Sequence, residues 1–169
     1  MKKKLIIFIT CILLIISMLP ISAFSVNSNN IVILYENDVH CIVEGYSKLA
    51  AMKKELQESY ARVGVVSGGD YIQGNSLGVI SKGEYIVNLM NLVGYDAVTL
   101  GNHEFDYYID SLASMLSVAK KSGDPVPSIV QANQVLPDDA GENVKEAFES
   151  YGVRDYIIIE RGGNYFVVF

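Results

Sequence analysis

Tryptophan is absent from the 169 residues, and cysteine and histidine occur only twice each. One cysteine, Cys11, lies in an apolar leader, so Cys41 alone remains for the folded part. A single cysteine forms no internal disulfide, and without a CxxC pair there is no thiolate metal cage. Positive charge is scarce as well: 13 lysines and arginines face 19 acids, for a formal net charge of −6. No basic patch stands out, which argues against nucleic acid as a partner. Internal repeats and low-complexity tracts are missing. With 50% hydrophobic and 19% charged residues, the chain holds enough apolar material for one packed domain. The scarcity of histidine is the most informative, because both copies follow apolar runs. His40 ends Asn37-Asp38-Val39-His40, and His103 lies in Gly101-Asn102-His103-Glu104-Phe105-Asp106.

What is present begins with a leader. Lys2, Lys3 and Lys4 precede an uncharged apolar run over 5–19, and Ala23 follows at a cleavage position. This pattern predicts a secretory signal peptide over 1–23 and hence an extracytoplasmic protein, periplasmic or at the cell surface. An uncleaved membrane anchor is the alternative, since the run approaches spanning length. Residues before Cys11 do not fit a lipoprotein site. Removing 1–23 takes away three lysines and no acid, which moves the formal charge from −6 to −9. An acidic mature chain suits cation binding. Residues 24–30 read as a polar tether, and 31–169 as the folded part.

Consecutive β-branched and apolar residues over 31–35 predict a strand buried on both faces, as in a parallel sheet. Further strands are expected over 62–67, 97–100 and 128–132. Helical spacing predicts helices over 46–60, 84–93 and 110–121, with Gly94 and Gly123 as stops. Asp110 at the start of the third helix and Lys120-Lys121 at its end suit the helix dipole. Residues 37–45 read as loop, and the chain around Gly74 and Gly78 as a loose segment. A short helix is expected near 144–148, and a hairpin over 156–160 and 164–169. The β-α-β-α-β-α-β order argues a layered α/β domain. The apolar strand at the end has no polar tail and reads as a chain cut in mid-fold, since a naked edge is an aggregation hazard.

Ligands in parallel α/β folds bind outside the carboxyl ends of strands. Asp38 and His40, two apart on a strand-like extension, would point the same way and offer a carboxylate and an imidazole to one ion. Asp70, after Ser67-Gly68-Gly69, sits at a second strand tip; alone it is equally a turn or cap aspartate. Asn102 and His103 sit at a third, where a hydrogen-bonded structural histidine is the alternative for His103 alone. Together the set is a mixed N/O site suited to Zn²⁺, Mn²⁺ or Fe. Asp70 is placed to bridge two ions, which would clamp the attacking and leaving oxygens of a phosphoryl transfer. Asp106, three residues after His103, would orient its ring and raise its basicity, making His103 a general acid. Cys41 reads as a buried or loop thiol, with a ligand role as the alternative.

These motifs resemble the first three of the calcineurin-like metallophosphoesterases. The run Met90-Asn91-Leu92-Val93-Gly94-Tyr95-Asp96-Ala97-Val98-Thr99-Leu100-Gly101-Asn102-His103-Glu104-Phe105-Asp106 is similar to the secreted bacterial 5′-nucleotidase and 2′,3′-cyclic-nucleotide phosphodiesterase branch. The segment from Gly45 to Ala50 and the pair Ala132-Asn133 are similar to it as well. The resemblance implies the amino-terminal part of a four-layer α/β/β/α sandwich over 31–169, with two divalent metal ions and a nucleotide or other small phosphoester as substrate. Asp38 and His40 would bind the first ion, Asp70 would bridge, and Asn102 would bind the second. His103 with Asp106 would protonate the leaving group. Tyr35-Glu36 stands where that branch has His-Thr, and Cys41 where it has glycine. The branch completes its site with a later histidine and a Gly-His-x-His motif, and it carries a nucleoside-binding C-terminal domain. The two histidines here leave no third one for those ligands. The expectation is therefore a chain with little phosphatase activity by itself. The alternative is a non-catalytic metal-binding or surface protein built on half the fold.

Overall fold

A computed structural model describes residues 30–60, 62–161 and 163–169. The predicted signal peptide, Cys11 and all of the tether except Asn30 lie outside the described residues. No helix among the described residues is long and apolar enough to cross a membrane.

The chain alternates strand and helix. Strand β1 (Ile31–Glu36) leads to helix α1 (Val43–Ser59), and β2 (Arg62–Ser67) to α2 (Ser76–Ser81) and α3 (Glu84–Val93). The short β3 (Ala97–Val98) precedes a 3₁₀ turn (His103–Phe105) and α4 (Tyr108–Lys121). Then come β4 (Ser128–Ile129), α5 (Glu142–Tyr151) and the strands β5 (Ile157–Arg161) and β6 (Asn164–Val168). The first four strands form one parallel sheet in the order β1-β2-β3-β4. Ile31 pairs with Arg62, Val66 with Ala97, and Ala97 with Ser128. All four strands therefore point their carboxyl ends the same way, as the α/β reading requires. The last two strands form a separate antiparallel pair.

Periodicity accounts for the core. Ile86, Val87, Met90 and Val93 bury the inner face of α3, and Leu112, Met115, Leu116 and Ala119 that of α4. Gly94, at φ +77°, ends α3 as the spacing predicts; its N–H bonds Met90 O at 2.9 Å. Lys53 of α1 reaches the same end and donates to the carbonyls of Val93 (2.9 Å) and Gly94 (2.7 Å), a favourable place for a cation. Asp96 ties the hairpin to the sheet, accepting from the Val65 amide at 2.9 Å and pairing with Arg161.

Four expectations change. The strand β1 is not buried on both faces: Ile31, Ile33 and Tyr35 are 53%, 50% and 66% exposed, and Leu34 is its one buried residue. It is a sheet edge with helices on one face only, and position within a sheet is a tertiary property. The hairpin likewise leaves Ile158, Tyr165 and Val167 exposed. The loose segment at 74–78 contains the start of α2, whose first amides, Leu77 N and Gly78 N, bond the Asn75 side chain at 2.9 and 3.4 Å. The helix α5 runs for 10 residues, because Val144, Ala147, Phe148 and Tyr151 all find cover. The strands β3 and β4 are two residues each. Beyond Val98, Thr99 N still bonds Ser67 O at 3.1 Å on the β2 side, while on the β4 side the Gln131 side chain accepts from Thr99 Oγ1 at 2.6 Å and Leu100 N at 2.9 Å.

Candidate metal centre

Three loops leave the carboxyl ends of β1, β2 and β3, and backbone hydrogen bonds stitch the first two together. Gly68 N donates to Glu36 O (2.9 Å), Asp38 N to Gly69 O (3.2 Å) and His40 N to Asp70 O (3.0 Å). Asp38, His40, Cys41 and Asp70 all lie in the left-handed region, with φ between 48° and 60°. Non-glycine residues in that region are uncommon and gather at functional sites. The strand-like extension expected for Asp-x-His is thereby overturned. The backbone curls, yet Asp38 Oδ1 and His40 Nε2 still end 3.7 Å apart. The Asn37 amide donates to the other Asp38 oxygen.

Asp70 is nearly buried and lies between the two other tips. Its Oδ1 accepts from the His103 backbone N–H at 2.8 Å. The rings of His40 and His103 meet edge to face with centroids 4.8 Å apart. Donor atoms of His40, Asp70 and His103 all fall within 4.8 Å of one another, which makes them a candidate metal-binding group. Asn102 precedes the 3₁₀ turn, and its exposed side chain caps no amide of that turn.

The 3₁₀ turn eclipses side chains three apart, so Asp106 comes to rest beside His103. Asp106 Oδ2 lies 2.7 Å from His103 Nδ1. This hydrogen bond, more than any other influence, raises the His103 pKa above the ordinary histidine value. With Nδ1 held, Nε2 is the ring nitrogen left for chemistry. Cys41 stays outside the group. Its thiol is fully buried and donates to Tyr71 O at 3.1 Å, and burial pushes its pKa up. Glu36 at the end of β1 is also enclosed: burial pushes its carboxyl up, opposed by the Ser67 and Tyr95 side chains.

Sequence reasoning missed Glu104. It is 0% exposed, and its carboxylate accepts four backbone N–H groups. Oε1 takes Tyr71 N at 2.8 Å and Ile72 N at 3.2 Å; Oε2 takes Asp70 N at 2.8 Å and Gly101 N at 2.6 Å. Burial, the largest influence, raises its pKa above the ordinary carboxylate value, and the four amides offset this only in part. The one sequence hint is its place inside a polar strand tip beside Asn102 and His103, where a solvated acid is the simpler reading.

Comparison with known proteins agrees with this geometry. The calcineurin-like phosphoesterase model matches residues 31–166. A snake venom 5′-nucleotidase from Gloydius brevicauda is 35% identical over 105 residues, covering 53% of this chain and 17% of the relative. The trifunctional nucleotide phosphoesterase protein YfkN of Bacillus subtilis is 32% identical over 142 residues, covering 77% of this chain and 9% of the relative. The chain thus spans less than a fifth of the length of either relative. The 5′-nucleotidase precursor of Thermus thermophilus shares the fold with a TM-score of 0.65 and 21% identity, over 81% of this chain and 27% of that one. The α/β fold expected of the motifs is the fold observed. With the matched residues carrying Asp38, His40, Asp70 and His103 to adjacent strand tips, the chain belongs to the calcineurin-like phosphoesterase family.

Proposed function

We propose that this chain forms the metal-binding strand tips of a phosphoesterase that hydrolyses nucleotide phosphoesters, 5′-nucleotides or cyclic nucleotides, with two divalent ions such as Zn²⁺ or Mn²⁺. The convergence of His40, Asp70 and His103 within 4.8 Å at parallel strand tips carries this reading. The donor set fits such ions: imidazole nitrogen and carboxylate oxygen, with the one nearby thiol buried and engaged elsewhere. Asp38 and His40 would hold one ion, Asn102 the other, and Asp70 would join them. When bound, the ions would supply positive charge to the phosphoryl oxygens and lower the pKa of water.

The chain's own residues handle the proton. Asp106 fixes His103 through Nδ1 and favours the imidazolium. Nε2 is then the donor toward the leaving oxygen, a general-acid role. Nucleotides as substrates rest on the 5′-nucleotidases and YfkN among the relatives. An extracytoplasmic setting rests on the leader sequence and is in keeping with a venom protein among them.

The test is a set of variants. Mn²⁺ binding by calorimetry should fall about 10–100-fold or more in His40→Ala and Asp70→Ala. His103→Asn should keep its Mn²⁺ while AMP hydrolysis, followed on the full-length protein, drops at least about 100-fold. Loss of bound Mn²⁺ in His103→Asn would make His103 a ligand instead. A wild-type chain that binds no Mn²⁺ at millimolar concentration would end the metal reading.

A further inference from the structure

We propose that Glu104 is a positioning residue of the metal centre: its buried carboxylate locks the β2 and β3 tips together and thereby sets the affinity of the site for metal. The inference rests on the metal reading above.

An ionised carboxylate offers about four lone-pair sites. Here four N–H groups take them, two on each oxygen, at 2.6–3.2 Å. Three come from the β2 tip (Asp70, Tyr71, Ile72) and one from the β3 tip (Gly101). Every one of these partners is a donor, so the pocket is shaped for a carboxylate whose two oxygens both accept. A protonated acid or an amide would set a hydrogen against a backbone N–H, and a buried polar group left unpaired is costly.

The two clamped tips are the ones that carry the chemistry. Asp70 holds φ +59°, a conformation it would not choose freely. Its amide is pinned by Glu104, its carbonyl by His40 N and its Oδ1 by His103 N. Glu104 therefore fixes the backbone that aims the Asp70 carboxylate between His40 and His103. Gly101, on the other tip, packs against Asp70 so closely that a side chain there would strike its carboxylate. A filler that merely satisfied amides would stabilise the fold. It would not need to reach both tips with one oxygen, as Oε2 does through Asp70 N and Gly101 N.

Glu104→Gln keeps the shape and removes the charge. Two readouts separate positioning from plain stability: amide hydrogen exchange at Asp70, Tyr71, Ile72 and Gly101, and the Mn²⁺ dissociation constant. Both are taken below the melting temperature of the variant. The four amides should lose protection together, and Mn²⁺ affinity should fall about 10–100-fold, as for other partners that orient metal ligands. Glu104→Asp keeps the charge but is one methylene shorter and reaches one tip only. It should fall between the two, and it carries the test if Glu104→Gln does not fold. A variant with a lowered melting temperature but Mn²⁺ affinity within about twofold of wild type overturns the proposal, as do four amides with unchanged protection. A wild-type chain without Mn²⁺ binding overturns the metal reading and the affinity role with it. Normal wild-type binding with an unaffected variant overturns the Glu104 role alone.

Discussion

Gly69→Ala is the sharpest structural perturbation of the strand tips. Gly69 sits at φ +102°, where an alanine is strained. Confining a residue to such a region costs about 1–3 kcal/mol. A Cβ placed there would also lie 2.5 Å from Gly101 N and 2.9 Å from Gly101 Cα. These are backbone atoms that cannot rotate aside, so the β2 and β3 tips must part by about 1 Å to restore ordinary carbon contact distances. Overpacking of this kind costs a further ~1–3 kcal/mol. The sum, about 2–6 kcal/mol, is a large share of the roughly 5–15 kcal/mol by which domains are stable. With a urea m-value near ~2 kcal/mol/M, the midpoint should move down by about 1–3 M. Parting the tips also stretches the 2.8 Å bond from His103 N to Asp70. Mn²⁺ affinity should therefore fall even without urea, at temperatures where the variant is folded. A midpoint shift under about 0.3 M, at unchanged m, would show that the tips do not touch as described.

Two further outcomes follow from single residues. Asp106→Asn replaces the carboxylate whose charged hydrogen bond raises the His103 pKa with a neutral amide. The His103 titration, followed by NMR in metal-free protein, should move down toward the ordinary value near about 6.5. In the wild type the pair's stabilising contribution is complete below the ordinary histidine pKa and is lost as pH rises through the raised one; an unmoved titration in the variant would refute the pairing. Tyr108→Gly should stabilise the chain, because Tyr108 holds φ +65° while 81% exposed. Relief of about 1–2 kcal/mol of left-handed strain, less about 0.5–1 kcal/mol for glycine's entropy, leaves a gain under about 1.5 kcal/mol in thermal unfolding. A loss of stability would mean that the ring holds contacts worth more than its strain.

Much of the site was legible because it is local. His103 and Asp106 are three apart, and a 3₁₀ turn makes that a contact. The helices α3 and α4 declare their buried faces by spacing alone, and the polar strand ends mark where chemistry gathers. What the sequence conceals is set by tertiary position. The residues of β1 read as core, but an edge strand with one covered face leaves Ile31, Ile33 and Tyr35 exposed. Asp38 and His40 adopt left-handed backbone because neighbouring tips grip their amides, and no local pattern signals that. Glu104 reads as a surface acid; amides from two loops far apart in the chain make it an interior carboxylate. The curled tips and the exposed strand edge share one cause: long-range partners decide them.

The sheet is ordered β1-β2-β3-β4, the same order in which the strands occur along the chain. Each new strand joins the one made just before it, and no insertion between existing strands is needed. Every member of the candidate metal centre lies between Asp38 and Asp106. During synthesis, which proceeds from the amino terminus at about 5–20 residues per second, these candidate ligands can be assembled on three strands while α5 and the hairpin are still unmade. The hairpin then arrives as a late addition, and Arg161 pairs with Asp96 at its seam with the sheet. The candidate ligands of this chain are thus made before its last helix and the hairpin that flanks its sheet.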